Sequence, residues 1–168
     1  MTRSAAARHW AGAVCLLPFL LDAATMAAHA QGRQPTVGEV TAIRTCAKKY
    51  ETDLDAAERE CLFNLVGTPC TEKPEGQSNV GMTDCYRLED AIWDDLLNEN
   101  YKSLVADLDE EQKTKLREMQ RVWIAYRDST CGFYYTKIRG TMAQPMGAAC
   151  AARETARRAL LLKFFSGL

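Results

Sequence analysis

The sequence contains two histidines, His9 and His29, and both lie in its first thirty residues. If that segment is removed on export, the working chain has no imidazole at all. This excludes the Ser-His-Asp and Cys-His constellations, the commonest general base, and every metal site built on histidine. Close cysteine pairs are also missing: the nearest two beyond the leader, Cys61 and Cys70, stand nine positions apart, whereas a zinc site would want C-x-x-C. No glycine-rich loop precedes a helix pattern to cradle phosphate. Adjacent carboxylates such as Asp94 with Asp95, or Glu110 with Glu111, point about 100° apart on a helix and cannot converge on one glycosidic bond. An enzyme is therefore not expected, and no cofactor or metal is implied.

Long apolar runs are scarce as well. The one that stands out, Trp10 to Leu21, spans twelve residues, follows Arg3 and Arg8, and is closed by Asp22. A transmembrane helix needs about 20 apolar residues, so this run is too short to span. With small residues at Ala28-His29-Ala30, it reads as a secretory signal cleaved near Ala30. Cys15 lies inside the run behind Val14, where a lipidation signal would want a small residue. The expected product, Gln31 to Leu168, is periplasmic or secreted and has no membrane span.

That product is 138 residues long, enough for one domain with its own core. Removing Arg3, Arg8 and Asp22 leaves 19 basic and 21 acidic residues, a balance that argues against a nucleic-acid partner. The charge is polarised: Asp84 to Glu118 is acidic and Lys137 to Leu168 is basic. Packing of an acidic helix beside a basic one accounts for this more simply than a charged binding surface.

Six cysteines remain in an oxidising compartment: Cys46, Cys61, Cys70, Cys85, Cys131 and Cys150. They read as three disulfides, with 15 connectivities open. Pairing chain neighbours is the simplest choice, giving Cys46 with Cys61, Cys70 with Cys85, and Cys131 with Cys150. The first pair requires a turn between its members, because a straight helix would hold them about 22 Å apart. Thr52-Asp53 supplies a place for that turn.

Helical periodicity dominates what is left, and no strand is required. The expected fold is all-α: a small disulfide-stapled bundle with an N-terminal helical hairpin, two long antiparallel helices and a C-terminal helix. Residues 31–81 form an N-terminal extension, in which Val40, Ile43, Ala47 and Tyr50 make one stripe and Ala57, Cys61, Leu62 and Leu65 another. Gly67 to Gly81 reads as a loop by composition. Residues 82–168 form the main domain. Its first long helix carries Leu88, Ile92, Leu96 or Leu97, Tyr101, Leu104 and Leu108; Asp109 with Gln112 then reads as a capping box. The second carries Leu116, Met119, Trp123 and Ala125 or Tyr126 towards Cys131 and Phe133, and its short link predicts antiparallel packing on the first. Lys137 to Gly147 reads as an irregular loop. A last helix, about Ala148 to Phe165, pairs Glu154 with Arg158 and buries Ala152, Ala156, Ala159 or Leu160, and Phe164.

Spaced motifs run through the main domain: Met82-x-x-Cys85, Glu89, Asp94, Leu97-Asn98 and Tyr101; Gln120-x-x-Trp123-x-x-Tyr126-Arg127-Asp128-x-x-Cys131; and Cys150 followed by Thr155, Arg158 and Leu162. On these elements Met82 to Leu162 resembles the LprI-type lysozyme inhibitor domain, a family of exported bacterial helical proteins. The chain departs from it before Cys150, where Arg139-Gly140-Thr141-Met142 stands in place of a frequent Gly-Gly-Ser element.

The resemblance implies a binding protein directed at lysozyme, or at another envelope protein if the fold is kept and the partner changed. Lysozyme works in a cleft with two carboxylates, so the Cys131 to Cys150 loop is the candidate binding element, with Lys137, Arg139 and Thr141 as donors and Met142 and Met146 as apolar contacts. Its alternative role is simply to connect two helices. Trp123 is expected in the core. The motif polar residues Gln120, Arg127, Thr155 and Arg158 are expected as internal partners, with arginine reaching Glu89, Asp94 or Asp95 across the bundle.

Overall fold

The computed structural model describes residues Gly32–Leu168. The signal read over residues 1–30 lies outside the described residues. Helices α1, α2, α4 and α5 each begin where a polar side chain of the sequence supplies a cap. Helix α1 (Val37–Lys49) starts with a capping box: the Thr36 side chain accepts from the Glu39 backbone N–H, and the Glu39 carboxylate accepts from the Thr36 N–H at 2.8 Å. The Arg33 guanidinium holds that carboxylate in place and, with the cap, keeps its pKa down at about 2. Helix α2 (Leu54–Cys61) starts at Asp53, whose carboxylate accepts from the Ala56 N–H at 2.9 Å. The turn between them lets the Cys46–Cys61 disulfide close the hairpin at a Cα separation of 5.8 Å.

The segment read as a loop is more ordered than its composition suggests. It contains helix α3 (Gly67–Thr71) and a single 3-10 turn (Pro74–Gly76), and the Cys70–Cys85 disulfide ties it to the following helix. Two glycines make this compactness possible. A Cβ at Gly76 would lie 2.2 Å from the Cys70 carbonyl oxygen, and one at Gly81 would lie 2.0 Å from the Glu75 carbonyl oxygen. The residues that suggested a loop are there to let backbones touch.

Helix α4 (Asn79–Ala106) opens on Ser78, whose hydroxyl accepts from the Gly81 N–H, and so begins three residues ahead of Met82. A three-residue link leads to helix α5 (Glu110–Ile138), and the Asp109–Gln112 capping box is present in both directions. Helix α6 (Ala143–Phe165) completes the chain. The irregular stretch expected over 137–147 shrinks to the residues between Ile138 and Ala143. Pro145 does not break α6 because it occupies the first turn, where its missing N–H has no intrahelical partner to lose.

The packing order also differs from expectation. Helix α6 has extensive interfaces with both α4 and α5, while α4 and α5 share no comparable interface of their own. The reason lies in α6 itself: Ala148, Ala152, Ala156 and Ala159 are buried along its length, and such small side chains let neighbours approach closely. The core joins Ile43, Ala57 and Cys61 from the N-terminal hairpin to Leu88, Ile92, Trp93 and Leu97 of α4 and to Ala156, Ala159, Leu160 and Leu162 of α6. Helix α5 contributes only Leu116 and Cys131 as fully buried residues. Its expected core positions Tyr126 and Phe133 are exposed. Among the described residues, no helix is long and apolar enough to cross a membrane.

Candidate functional site

The polar motif residues converge where α5 and α4 flank α6. Arg158, buried on α6, donates from Nε to the Gln120 side-chain oxygen on α5. Its guanidinium also lies over the Trp123 ring, 5.5 Å from the ring centre. Arg127 lies over the same ring at 5.0 Å and donates to Asp128 at 2.9 Å. Trp123 is thus a half-buried ring that packs against the edge of the core and lies beside two guanidinium groups, while the indole fully buried within the core is that of Trp93. Burial pushes the Arg158 pKa below the ordinary arginine value.

Asp90, which the sequence reading passed over, is the acidic member of this crossing. Burial raises its pKa, opposed by the Thr155 hydroxyl and by the charge of Arg127. Asp90 Oδ1, Thr155 Oγ1 and Arg158 Nη2 are all buried without a partner in hydrogen-bond geometry. A buried polar atom left unpaired costs about 1–3 kcal/mol, which offsets part of what the Arg158–Gln120 bond and the ring contacts contribute at this crossing. Beside it a groove of about 300 Å³ runs between the three helices, lined by residues that include Arg87, Asp90, Asp128 and Tyr135. The Tyr135 ring lies over Gly147, where an added Cβ would come within 2.7 Å of it.

The arginine partners differ from those expected. Glu89 is 1% exposed and, among the described residues, pairs with no arginine. Its Oε1 accepts from the Phe63 N–H at 2.8 Å and from the Trp93 indole N–H at 3.1 Å, while Oε2 accepts from the Gly67 N–H at 2.7 Å. Helix α3 has no cap of its own, and Glu89 serves as one from across the bundle. Burial outweighs these three donors and raises the Glu89 pKa. Asp94 accepts from Asn98 on its own helix. Glu154 pairs with Arg157, at 3.2 Å, rather than with Arg158, and Arg157 reaches on to Glu58. No sequence signal separates Glu89 from its acidic neighbours except its place on the Cys85–Leu88–Ile92 face of α4.

The candidate binding loop is the tip of the α5–α6 hairpin, pinned by the Cys131–Cys150 disulfide at a Cα separation of 5.4 Å. Lys137 belongs to the last turn of α5 and is exposed. Arg139 caps that helix in the left-handed region, at φ 51° and ψ 32°, and is exposed too. The Thr141 hydroxyl accepts from Asn79 at 2.8 Å, which ties the tip to the start of α4. Met142 and Met146 present their side chains to solvent beside it. The motif residues of the crossing and the tip residues are two separate features. Among the described residues, no group of three or more His, Cys, Asp or Glu side chains is arranged to hold a metal ion.

Comparison with known proteins gives one finding. No curated protein and no solved structure matches the chain. A family model described as lysozyme inhibitor LprI matches residues 70–162, from the Cys70–Cys85 disulfide through the core of α6. That span takes in more than half of the sequence, and the chain belongs to the LprI lysozyme inhibitor family.

Proposed function

We propose that this protein is an exported inhibitor that binds a lysozyme and occludes its active-site cleft through the tip of the α5–α6 hairpin. The observation that carries the reading is the family match over residues 70–162. The tip geometry supports the choice of surface. Arg139 adopts a left-handed backbone that costs a non-glycine residue about 1 kcal/mol, although Gly140 follows immediately and would take that conformation freely. A side chain kept at such a position, with no ion-pair partner among the described residues, is well placed to serve an external one. With Lys137 it presents two cations to a cleft that works with two carboxylates, and Met142 and Met146 add adaptable apolar contact. The disulfide and the Asn79–Thr141 hydrogen bond fix the tip in advance, which lowers the ordering cost of binding.

The test is titration of the processed protein against a C-type lysozyme in a cell-lysis assay. Inhibition that saturates at a defined ratio is expected, and the Lys137→Ala/Arg139→Ala variant should weaken it at least about tenfold with unchanged melting. No inhibition at large molar excess would remove the lysozyme reading and leave an envelope interaction module. Inhibition untouched by the double substitution would move the binding surface away from the tip.

A further inference from the structure

The outer face of α5 carries an apolar stripe that the fold does not use. Val122, Tyr126 and Phe133 are 70%, 51% and 61% exposed, and Ser129 completes the series. Their spacing of four, three and four residues is that of a coiled-coil seam, and it runs on the side of the helix away from buried Leu116 and Cys131. A surface helix with one face on its own core and a second apolar seam towards water is unusual in a monomer.

We infer that this seam pairs with the same seam of a second copy of the chain, as an antiparallel two-helix interface centred between Arg127 and Asp128. The sequence is self-complementary in that register and in no parallel one. With the helices antiparallel, Phe133 of each copy lies opposite Val122 of the other, and Tyr126 lies opposite Ser129, so every large side chain meets a smaller one. On one flank Ala125 meets Gly132, which lets the helices approach closely. At the ends of that flank Glu118 meets Arg139, an acid facing a base twice by the two-fold symmetry. Both are exposed, and among the described residues Glu118 is tied only by a surface contact with Lys115 at 3.4 Å, which is given up at little cost. A parallel pairing would set Phe133 on Phe133 and Ser129 on Ser129, stacking large on large and leaving gaps at the small positions. The inference does not rest on lysozyme binding, but both use Arg139, so a seam-paired copy would compete with lysozyme for that side chain.

Sedimentation of the processed protein over about 1–500 µM tests it, a range suited to a modest interface. A monomer–dimer equilibrium is expected. Phe133→Asp should weaken it at least about tenfold without changing the melting temperature, since the side chain makes no core contact. Glu118→Arg and Arg139→Glu should each weaken association, and the two together should restore it, which reads the antiparallel register directly. A monomer throughout the range, a dimer indifferent to Phe133→Asp, or a double reversal no better than the singles would each overturn the inference. So would Phe133→Asp abolishing lysozyme inhibition in a protein that never dimerises, because the seam would then belong to the other partner.

Discussion

Replacing Glu89 by alanine tests the claim that its carboxylate caps α3 from across the bundle, beside the Cys70–Cys85 disulfide that also ties α3 to α4. The substitution removes the acceptor from two backbone N–H groups, of Phe63 and Gly67, and from the Trp93 indole. The Gly67 donor is buried, and among the described residues Glu89 is its acceptor. Leaving a buried donor unpaired costs about 1–3 kcal/mol, and the space left by the side chain adds to this, while relief from burying a charge subtracts. A net loss of about 3 kcal/mol follows, equivalent to roughly 10 °C in melting temperature for a domain of this size. Glu89→Gln should cost less, because its one carbonyl oxygen can keep the Phe63 and Trp93 bonds and only the Gly67 N–H then faces an NH2 group.

The pH dependence gives a second readout. Burial raises the pKa of Glu89 in the folded chain above the ordinary glutamate value of 4.5, so folding favours its protonated form. That contribution is fully present below about 4.5 and is lost as pH rises through the folded value. The margin of the wild type over Glu89→Gln should therefore narrow as pH rises from 4. Circular dichroism melting across pH and amide exchange at Gly67 provide the measurements. A Glu89→Ala protein melting within about 2 °C of the wild type, with Gly67 still protected, would refute the capping role, and a margin that widened with pH would refute the direction of the shift.

The remaining predictions concern the other joints of the fold. Arg158→Ala breaks the bond to Gln120 and uncovers the Trp123 ring, so stability should fall by about 2 kcal/mol and the environment of Trp123 should change in fluorescence while that of Trp93 does not; unchanged melting with lost partner binding would instead make Arg158 a binding residue. Serine at both Cys131 and Cys150 opens a crosslink of sequence separation 19 and should cost about 3 kcal/mol in chemical denaturation. If the tip binds lysozyme, it should also weaken inhibition. Glu39 has a lowered pKa of about 2, so its contribution is complete above the ordinary glutamate value of 4.5 and disappears as pH falls through about 2. Glu39→Gln should flatten that acid limb and increase exchange in the first turn of α1.

How much of this was legible in the sequence depended on whether a local or a long-range contact decided the outcome. The capping box at Asp109, the turn at Asp53, the helical character of the whole chain and the pairing of neighbouring cysteines are set within about 20 residues, and spacing exposes them. Gly67 to Gly81 was misread because glycine and proline permit either a loose loop or a close backbone approach, and only the partner backbone decides which. Pro145 was misread as a break for a related reason: its effect depends on where α6 begins, which the αL cap at Arg139 and the Asn79–Thr141 contact help to fix.

The packing partners were illegible for a subtler physical reason. Apolar periodicity marks faces by side-chain size, so it favoured α5, with Trp123, Tyr126 and Phe133, as the mate of α4. Helix packing in a small bundle is governed equally by how closely backbones can approach, and the narrow alanine face of α6 takes the central place instead. Once α6 lies between them, the large residues of α5 are displaced outwards. Trp123 becomes a plate beside Arg127 and Arg158, and Val122, Tyr126 and Phe133 reach solvent. The misplaced core residues and the proposed interface are therefore one fact. Residues that looked like core from their spacing are apolar in a periodic array, and that array is what a second helix outside the domain would need.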